Sequence, residues 1–292
     1  VGAQFIKKFL CPVDFSRASI DAFNYATSFA NKLGAKITLI HVMPSLNTMP
    51  ISRGTRDVDL IEDTLKEEKI KREQHLHKLS KQNSLVTQTI IKEGRSYEEI
   101  VKFAELKAFD LILLGATGIS EIEETPLGST ALKVARKAQC PVLLVKQQRE
   151  ARIKKILVPT DFSKYASYAL KFAYALQSYF NAKIHLLHVI DYWEYSGRSP
   201  EILNATKKYL EKESKKYDHN IETHLVINTD IVTAVRDYSK DKKIDLIVMG
   251  TRGTSGFKRL LLGSTSEKQL WLSPIPIVLT RLKEDKSNSE FN

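Results

Sequence analysis

The chain holds only two cysteines in 292 residues, Cys11 and Cys140, far apart and at no metal-binding spacing. That excludes a disulfide-stapled scaffold and a zinc ribbon or finger, and a reduced, cytoplasmic setting is the simplest expectation. Long apolar runs are missing as well. The longest (Leu111–Leu114, Val142–Val145 and Ile275–Leu279) fall far short of the roughly 20 residues that cross a bilayer, and no N-terminal stretch has the charged-then-apolar layout of a secretion signal. The expectation is a soluble protein without membrane association. Also absent are G-x-x-x-x-G-K-[ST], a G-x-G-x-x-G after a first strand, the protein-kinase signature set and a nucleophile elbow. Walker ATPases, dinucleotide enzymes and Ser-His-Asp hydrolases are therefore unsupported.

Acid is in short supply relative to base: 45 Lys and Arg against 34 Asp and Glu give a net charge of +11. The excess is nearly even, +5 over residues 1–149 and +6 over 150–292. The densest stretch, Lys66–Arg72, interleaves glutamates with lysines at helical spacing, as a solvated helix face does. A nucleic-acid footprint would cluster on one face, so that class of partner is disfavoured.

What the chain does have is a repeat. Phe9-Leu-Cys-Pro-Val-Asp-Phe-Ser16 returns 147 residues later as Ile156-Leu-Val-Pro-Thr-Asp-Phe-Ser163, and Ala35–Val42 returns at the same offset as Ala182–Val189. Phe109–Gly115 returns as Ile244–Gly250 at an offset of 135, so the first copy carries 12 additional residues. The polar stretch Pro44–Asp59 is the natural place for them, as a long surface loop. At 292 residues the chain suits two domains, 1–149 and 150–292, with a polar linker near Gln147–Arg152.

Each copy reads as strand, helix, strand, loop-helix, strand, helix, strand, glycine loop, helix, strand. The strands of the first copy are Lys8–Val13, Lys36–His41, Val86–Ile91, Leu111–Leu114 and Val142–Val145. Short, nearly continuous apolar runs alternating with helices indicate a parallel sheet buried on both faces. The fold class expected is α/β: two tandem open parallel-sheet sandwiches, Rossmann-like with five strands each. The first helix, Ser16–Leu33, stops at Gly34, and its counterpart stops at Asn181. These are the two residues that best tolerate a left-handed cap. Ser96-Tyr-Glu-Glu99 has capping-box spacing for the third helix.

Ligands of open parallel sheets sit beyond the carboxyl ends of the strands. There the first strands end in Pro12-Val13-Asp14 and Pro159-Thr160-Asp161, the second strands at Val42 and Val189, and the fourth at Leu114 and Met249. The fourth strands run directly into a glycine loop. In the first copy it is Gly115-Ala-Thr-Gly118, nine residues, then Gly128-Ser129-Thr130; in the second, Gly250-Thr-Arg-Gly253, nine residues, then Gly263-Ser264-Thr265. Glycines there are expected to turn with positive φ and to let backbone approach a ligand. The helix that follows presents N–H groups and a dipole that favour phosphate.

This architecture and the spacing G-x-x-G-x9-G-[ST] resemble the universal stress proteins, in their tandem form and their ATP-binding branch. The resemblance covers nearly the whole chain. It implies that Asp14 and Asp161 face the adenine end of a nucleotide and that Val42, Leu114, Val189 and Met249 line its adenine or ribose pocket. It further implies that Gly118, Gly128, Ser129, Thr130, Gly253, Gly263, Ser264 and Thr265 hold ribose and phosphates. ATP is the implied cofactor, with Mg²⁺ as a potential companion, in a stress-response protein. The two halves are implied to pair through their fifth strands, Val142–Val145 and Ile277–Leu279, as a pseudo-dimer, and the sequence leaves further homodimerisation and the protein partner open.

The two loops differ. The spacer of the first, Ile119–Leu127, has three acids and no base, whereas that of the second, Thr254–Leu262, has two bases and no acid and follows Arg252. The second loop is expected to hold ATP more tightly. Gly94, after the third strand, aligns with Thr229 in the second copy. His41 and His188 align at the second strands but belong to separate domains, which favours a structural role over a catalytic pair. Asp14 and Asp161 have a capping alternative shared with Ser16 and Ser163. Trp271, where the first copy has Arg136, suits core packing or an interdomain or partner surface. No general base or metal-binding carboxylate cluster is recognisable. Nucleotide-dependent conformation or partner binding is thus expected ahead of fast turnover. Slow hydrolysis or autophosphorylation on Ser129, Ser264 or Thr265 is the enzymatic alternative, and an interaction module without nucleotide is the third.

Overall fold

A computed structural model describes residues 6–48, 58–117, 127–148, 150–192, 200–217, 221–251 and 262–282. The first half runs β1 (Lys8–Pro12), α1 (Arg17–Leu33), β2 (Lys36–Met43), a 3₁₀ turn (Leu46–Thr48), α2 (Val58–Ser80), β3 (Val86–Glu93), α3 (Ser96–Leu106), β4 (Leu111–Gly115), α4 (Ser129–Lys137) and β5 (Val142–Val145). The second runs β6 (Lys155–Pro159), α5 (Lys164–Phe180), β7 (Lys183–Asp191), α6 (Pro200–Ser214), β8 (Ile221–Asn228), α7 (Ile231–Lys242), β9 (Leu246–Gly250), α8 (Ser264–Leu272) and β10 (Ile277–Thr280). Of the expected loop Pro44–Asp59, residues 49–57 lie outside the described residues, and α2 already begins at Val58.

All ten strands form one sheet in the order β3-β2-β1-β4-β5-β10-β9-β6-β7-β8. Pairing is parallel within each half, and β5 meets β10 antiparallel, with Leu143 opposite Val278. The two halves are thus joined through their fifth strands, as the resemblance implied. Capping each edge with the other removes two apolar strand edges that water would otherwise have to solvate.

The strands are apolar on both sides because helices cover both faces. Phe9, Cys11, Leu111 and Leu113 point into a core shared with α1, α2, α5 and α6. Leu10, Ile40, Ile112 and Leu114 point into the opposite core, with α3, α4, α7 and α8. Each core contains residues of both halves, and Phe29 of α1 stacks on Phe180 of α5 at 5.2 Å. Full burial of a side chain such as Phe29 contributes roughly 1.5–3 kcal/mol, so the interface belongs to the core rather than to a surface contact. Cys11 and Cys140 are buried as small apolar side chains, and burial pushes the Cys11 thiol up to about 12.

Polar links reinforce the junction. Arg136 bonds Glu267 through both Nη2, at 2.5 Å, and Nε, while Arg281 donates to the carbonyls of Ala135 and Arg136. Lys146 donates to the Trp271 carbonyl at 3.1 Å, and the half-buried Trp271 ring packs against the α3/α4-side core. On α2, Lys66 pairs with Asp63, while Lys71 and Arg72 pair with Glu68, the solvated ion-pair face expected there.

Caps explain where the helices start and stop. Ser16 Oγ accepts the Ser19 N–H and Ser163 Oγ the Ala166 N–H, starting α1 and α5. Gly34 (φ 65°) and Asn181 (φ 50°) end them in the left-handed conformation. The capping box at Ser96 does not form. The N-cap is Arg95, without a side-chain bond, because Gly94 turns the chain one residue earlier, at φ 146°, with its N–H on the Met43 carbonyl. At the matching turn of the second half, side chains replace the glycine: Asn228 accepts the Asp230 N–H, and Asp230 caps Thr233.

Candidate functional site

The strand order reverses between β1 and β4, and again between β6 and β9, so the two connections leaving those strands diverge to opposite sides and open a crevice. A cleft of about 210 Å³ lies at the first switch point and one of about 260 Å³ at the second. Both sit on the sheet face covered by α3 and α4, or by α7 and α8.

Pro12, Asp14, Val42, Leu114, Gly115, Gly128, Ser129 and Thr130 all line the first cleft. Pro159, Thr160, Asp161, Val189, Met249, Gly250, Gly263, Ser264 and Thr265 all line the second. Gly118 and Gly253 lie outside the described residues, together with Arg252 and all of both spacers except Leu127 and Leu262. The fold also brings in residues that motif spacing did not single out: Ile40, Ser96 and Ile100 in the first cleft, Leu187 and Ile231 in the second. Period-two alternation from Val42 and Val189 would have found Ile40 and Leu187. Ser96, Ile100 and Ile231 reach the site only because α3 and α7 start beside the strand ends.

The four described loop glycines, Gly115, Gly128, Gly250 and Gly263, do not turn with the positive φ expected of them. Gly128 (φ −73°) and Gly263 (φ −62°) are extended N-caps of α4 and α8. A glycine cap has no oxygen to occupy the first-turn N–H groups, so the helix end faces the cleft uncapped by a side chain. Backbone bonds from Gly128 N–H to the Ala116 carbonyl (2.6 Å) and from Gly263 N–H to the Thr251 carbonyl (2.8 Å) bring each helix start back to its strand end. Gly115 and Gly250 are required by packing. A Cβ on Gly115 would stand 2.9 Å from the Ala18 carbonyl oxygen, and one on Gly250 2.9 Å from Tyr165 Cβ. The first turns of α1 and α5 therefore lie directly against these strand ends.

The strand-end aspartates take part in local turns. Asp14 Oδ1 accepts the Ser16 N–H and Asp161 Oδ1 the Ser163 N–H, each at 3.0 Å, while the serines cap the helices. Both carboxylates still line the clefts, held in fixed orientation by those bonds. Phe15 (φ 66°) and Phe162 (φ 64°) between them adopt a left-handed backbone that a bulky residue rarely takes. Each ring thereby reaches a histidine: Phe15 lies 4.9 Å from His41, and Phe162 stacks on His188 at 4.4 Å. Nδ1 of His41 donates to the Val13 carbonyl (2.6 Å) and Nδ1 of His188 to the Thr160 carbonyl (2.7 Å). The two histidines thus hold identical structural bonds in separate halves. Burial, the largest influence, moves the His41 pKa below its usual value, with Arg72 adding to the shift and the Val13 carbonyl and Asp14 opposing it.

Each cleft therefore combines an apolar wall, one oriented carboxylate and a helix N-terminus with hydroxyls, twice over in a tandem doubly wound sheet. The class this defines is a tandem doubly wound α/β protein with a cleft at each of its two switch points. The model of the universal stress protein family matches residues 6–146 and 152–281, and the chain belongs to that family. A universal stress protein of Methanocaldococcus jannaschii is 33% identical over 149 residues, covering 51% of this chain and 87% of that protein. One from Synechocystis is 25% identical over 298 residues, covering 94% of this chain and 100% of its own, so the tandem arrangement is shared. The crystal structure of a universal stress protein from Archaeoglobus fulgidus superposes with a TM-score of 0.73 at 23% identity, over 98% of this chain and 100% of that one, a likeness of fold. No helix among the described residues is long and apolar enough to cross a membrane.

Proposed function

We propose that each cleft binds an adenine nucleotide, ATP foremost, and that the chain acts through nucleotide-dependent conformation or partner docking rather than fast turnover. The observation that carries this reading is the pair of glycine-capped helix starts, Gly128-Ser129-Thr130 and Gly263-Ser264-Thr265, opening on clefts at both switch points. First-turn N–H groups and the helix dipole suit a phosphate chain. Val42 and Leu114, or Val189 and Met249, offer the apolar wall for adenine, with Asp14 or Asp161 available to accept from ribose or base. Gly118 and Gly253 complete the proposed loops.

Each cleft has a single described carboxylate, Asp14 or Asp161, on its lining. Mg²⁺ bound with a nucleotide would be held mainly by phosphates and water, with Asp14 or Asp161 as the single described protein carboxylate. The opposite charge of the spacers supports a tighter second site, each near charge contributing about 1 kcal/mol where solvent screens it. The binding units are residues 1–149 and 150–292, and the setting is the cytoplasm.

Titration calorimetry of the full chain with ATP, alongside absorbance of nucleotide released on denaturation and a phosphate-release assay, tests the reading. Two sites of unequal affinity with negligible phosphate release are expected. Absence of binding by ATP, ADP and AMP at millimolar concentration overturns it, and multiple turnovers overturn the non-enzymatic part.

A further inference from the structure

Away from the clefts, β7 and β8 carry a cluster with no counterpart among the described residues of the first half. His185 of β7 stands in register opposite Glu222 of β8, and His224 lies two residues further along β8, on the same face. One donor atom from each of the three lies within 4.8 Å of the others. His185 Nδ1 is 3.8 Å from Glu222 Oε2, and His224 Nε2 is 3.6 Å from the same oxygen. The imidazoles are nearly parallel, 5.2 Å apart. The other oxygen of Glu222 is held by Lys183, which leaves Oε2 directed at the histidines. Tyr238 of α7 closes the group, its hydroxyl 2.9 Å from His185 Nδ1.

Two features of this cluster point to a missing partner. The Nε2 atoms of both His185 and His224 are buried without a hydrogen bond, and the His185 side chain is 4% exposed. A buried polar atom left unsatisfied is uncommon and costs about 1–3 kcal/mol. Burial also disfavours the protonated form of both imidazoles, and the neutral form is the one that ligates metal. It is the largest influence on each pKa, taking His185 to about 4 and lowering His224.

We propose that His185, Glu222 and His224 form a zinc site, with Tyr238 close enough to serve as fourth donor or to orient His185. Two imidazoles and a carboxylate are a common zinc donor set, and bonds of about 2.0–2.1 Å in tetrahedral geometry place neighbouring donors roughly 3.4 Å apart. The 3.8 Å and 3.6 Å separations from Glu222 Oε2 need to contract by only a few tenths of an ångström, and the two imidazole donors, within 4.8 Å of each other, close the rest by side-chain rotation. The ion would tie β8, an edge strand of the sheet, to β7 and to α7. The register equivalents in the first half are Thr38, Gln88 and Ile90, which cannot make such a set, so the site is specific to the second half.

The test is calorimetric titration of the chelator-treated full chain with zinc chloride, repeated with Co²⁺ to read tetrahedral coordination from visible absorption. One zinc per chain is expected, with tetrahedral cobalt bands. His224→Gln and Glu222→Gln should each weaken binding at least about tenfold, while His75→Gln, in the exposed helix α2, should change nothing. Thermal melts of the metal-free variants establish that they fold. Absence of zinc binding by the parent chain overturns the proposal. So does unchanged affinity in folded His224→Gln, which would assign the zinc to other histidines.

Discussion

Replacing Gly263 by aspartate is expected to preserve the fold while weakening ATP binding in the second cleft. Gly263 is the N-cap of α8, at φ −62° and ψ 146°, a conformation open to any residue. Aspartate is a better N-cap than glycine by a few tenths of a kcal/mol, so the melting temperature should hold or rise slightly. Its carboxylate would occupy the first-turn N–H groups proposed to hold phosphate, and would face the phosphate charge directly. At about 4–5 Å a unit pair costs roughly 1 kcal/mol in bulk water and 3–4 kcal/mol at the effective dielectric of a protein surface. With partial escape into solvent, a penalty of about 1–3 kcal/mol follows, on the order of 5- to 150-fold in Kd. Calorimetry on full-length Gly263→Asp should show the tighter ATP site weakened by about that factor, and Gly128→Asp the weaker site. Gly263→Asn, which caps without charge, should fall between. Unchanged ATP affinity in a folded Gly263→Asp protein would refute the phosphate placement.

Further outcomes follow from the same geometry. Gly115→Ala and Gly250→Ala place a Cβ 2.9 Å from backbone or Cβ atoms of α1 and α5, and should each destabilise by about 1–3 kcal/mol in urea unfolding; midpoints equal to the parent's would show that these helices give way freely. Leu143→Ala at the β5–β10 seam should cost about 2–5 kcal/mol, whereas Arg136→Ala, breaking a partly exposed ion pair, should cost less than about 1 kcal/mol. Comparable losses would mean that the halves are held by their polar rim. His41 has a lowered pKa when folded, so the unfolded chain binds more protons just below the usual value near 6.5. The stability it contributes is complete above that value and is lost as pH falls toward the lowered one. Between about pH 7.5 and 5.5 the parent should lose more stability than His41→Gln; equal losses would remove His41 as the source.

Much of this was written in local pattern. The repeated strand-one segments, the apolar runs and the Gly34 and Asn181 stops dictate a twice-repeated parallel sheet, because burial on both faces and left-handed caps leave few alternatives. The same spacing fixed which residues reach the clefts at the level of strand ends and loop starts. Where chain geometry intervened, local pattern failed. Ser96 looked like a cap, yet Gly94 turns the chain first. The loop glycines looked like positive-φ turns, yet the described ones are helix caps or clearances for a neighbouring helix, a demand that comes from outside the motif.

The sequence by itself therefore determined the repeat, the α/β class and the strand ends that line the two clefts, since periodicity and capping act over a few residues. Only the tertiary structure decided what distant residues do together. It seated Phe15 and Phe162 on His41 and His188, and it set β5 against β10 in one continuous core. It also gathered His185, Glu222, His224 and Tyr238 at one place, which no spacing along the chain announces because strand register, not sequence separation, brings them into contact.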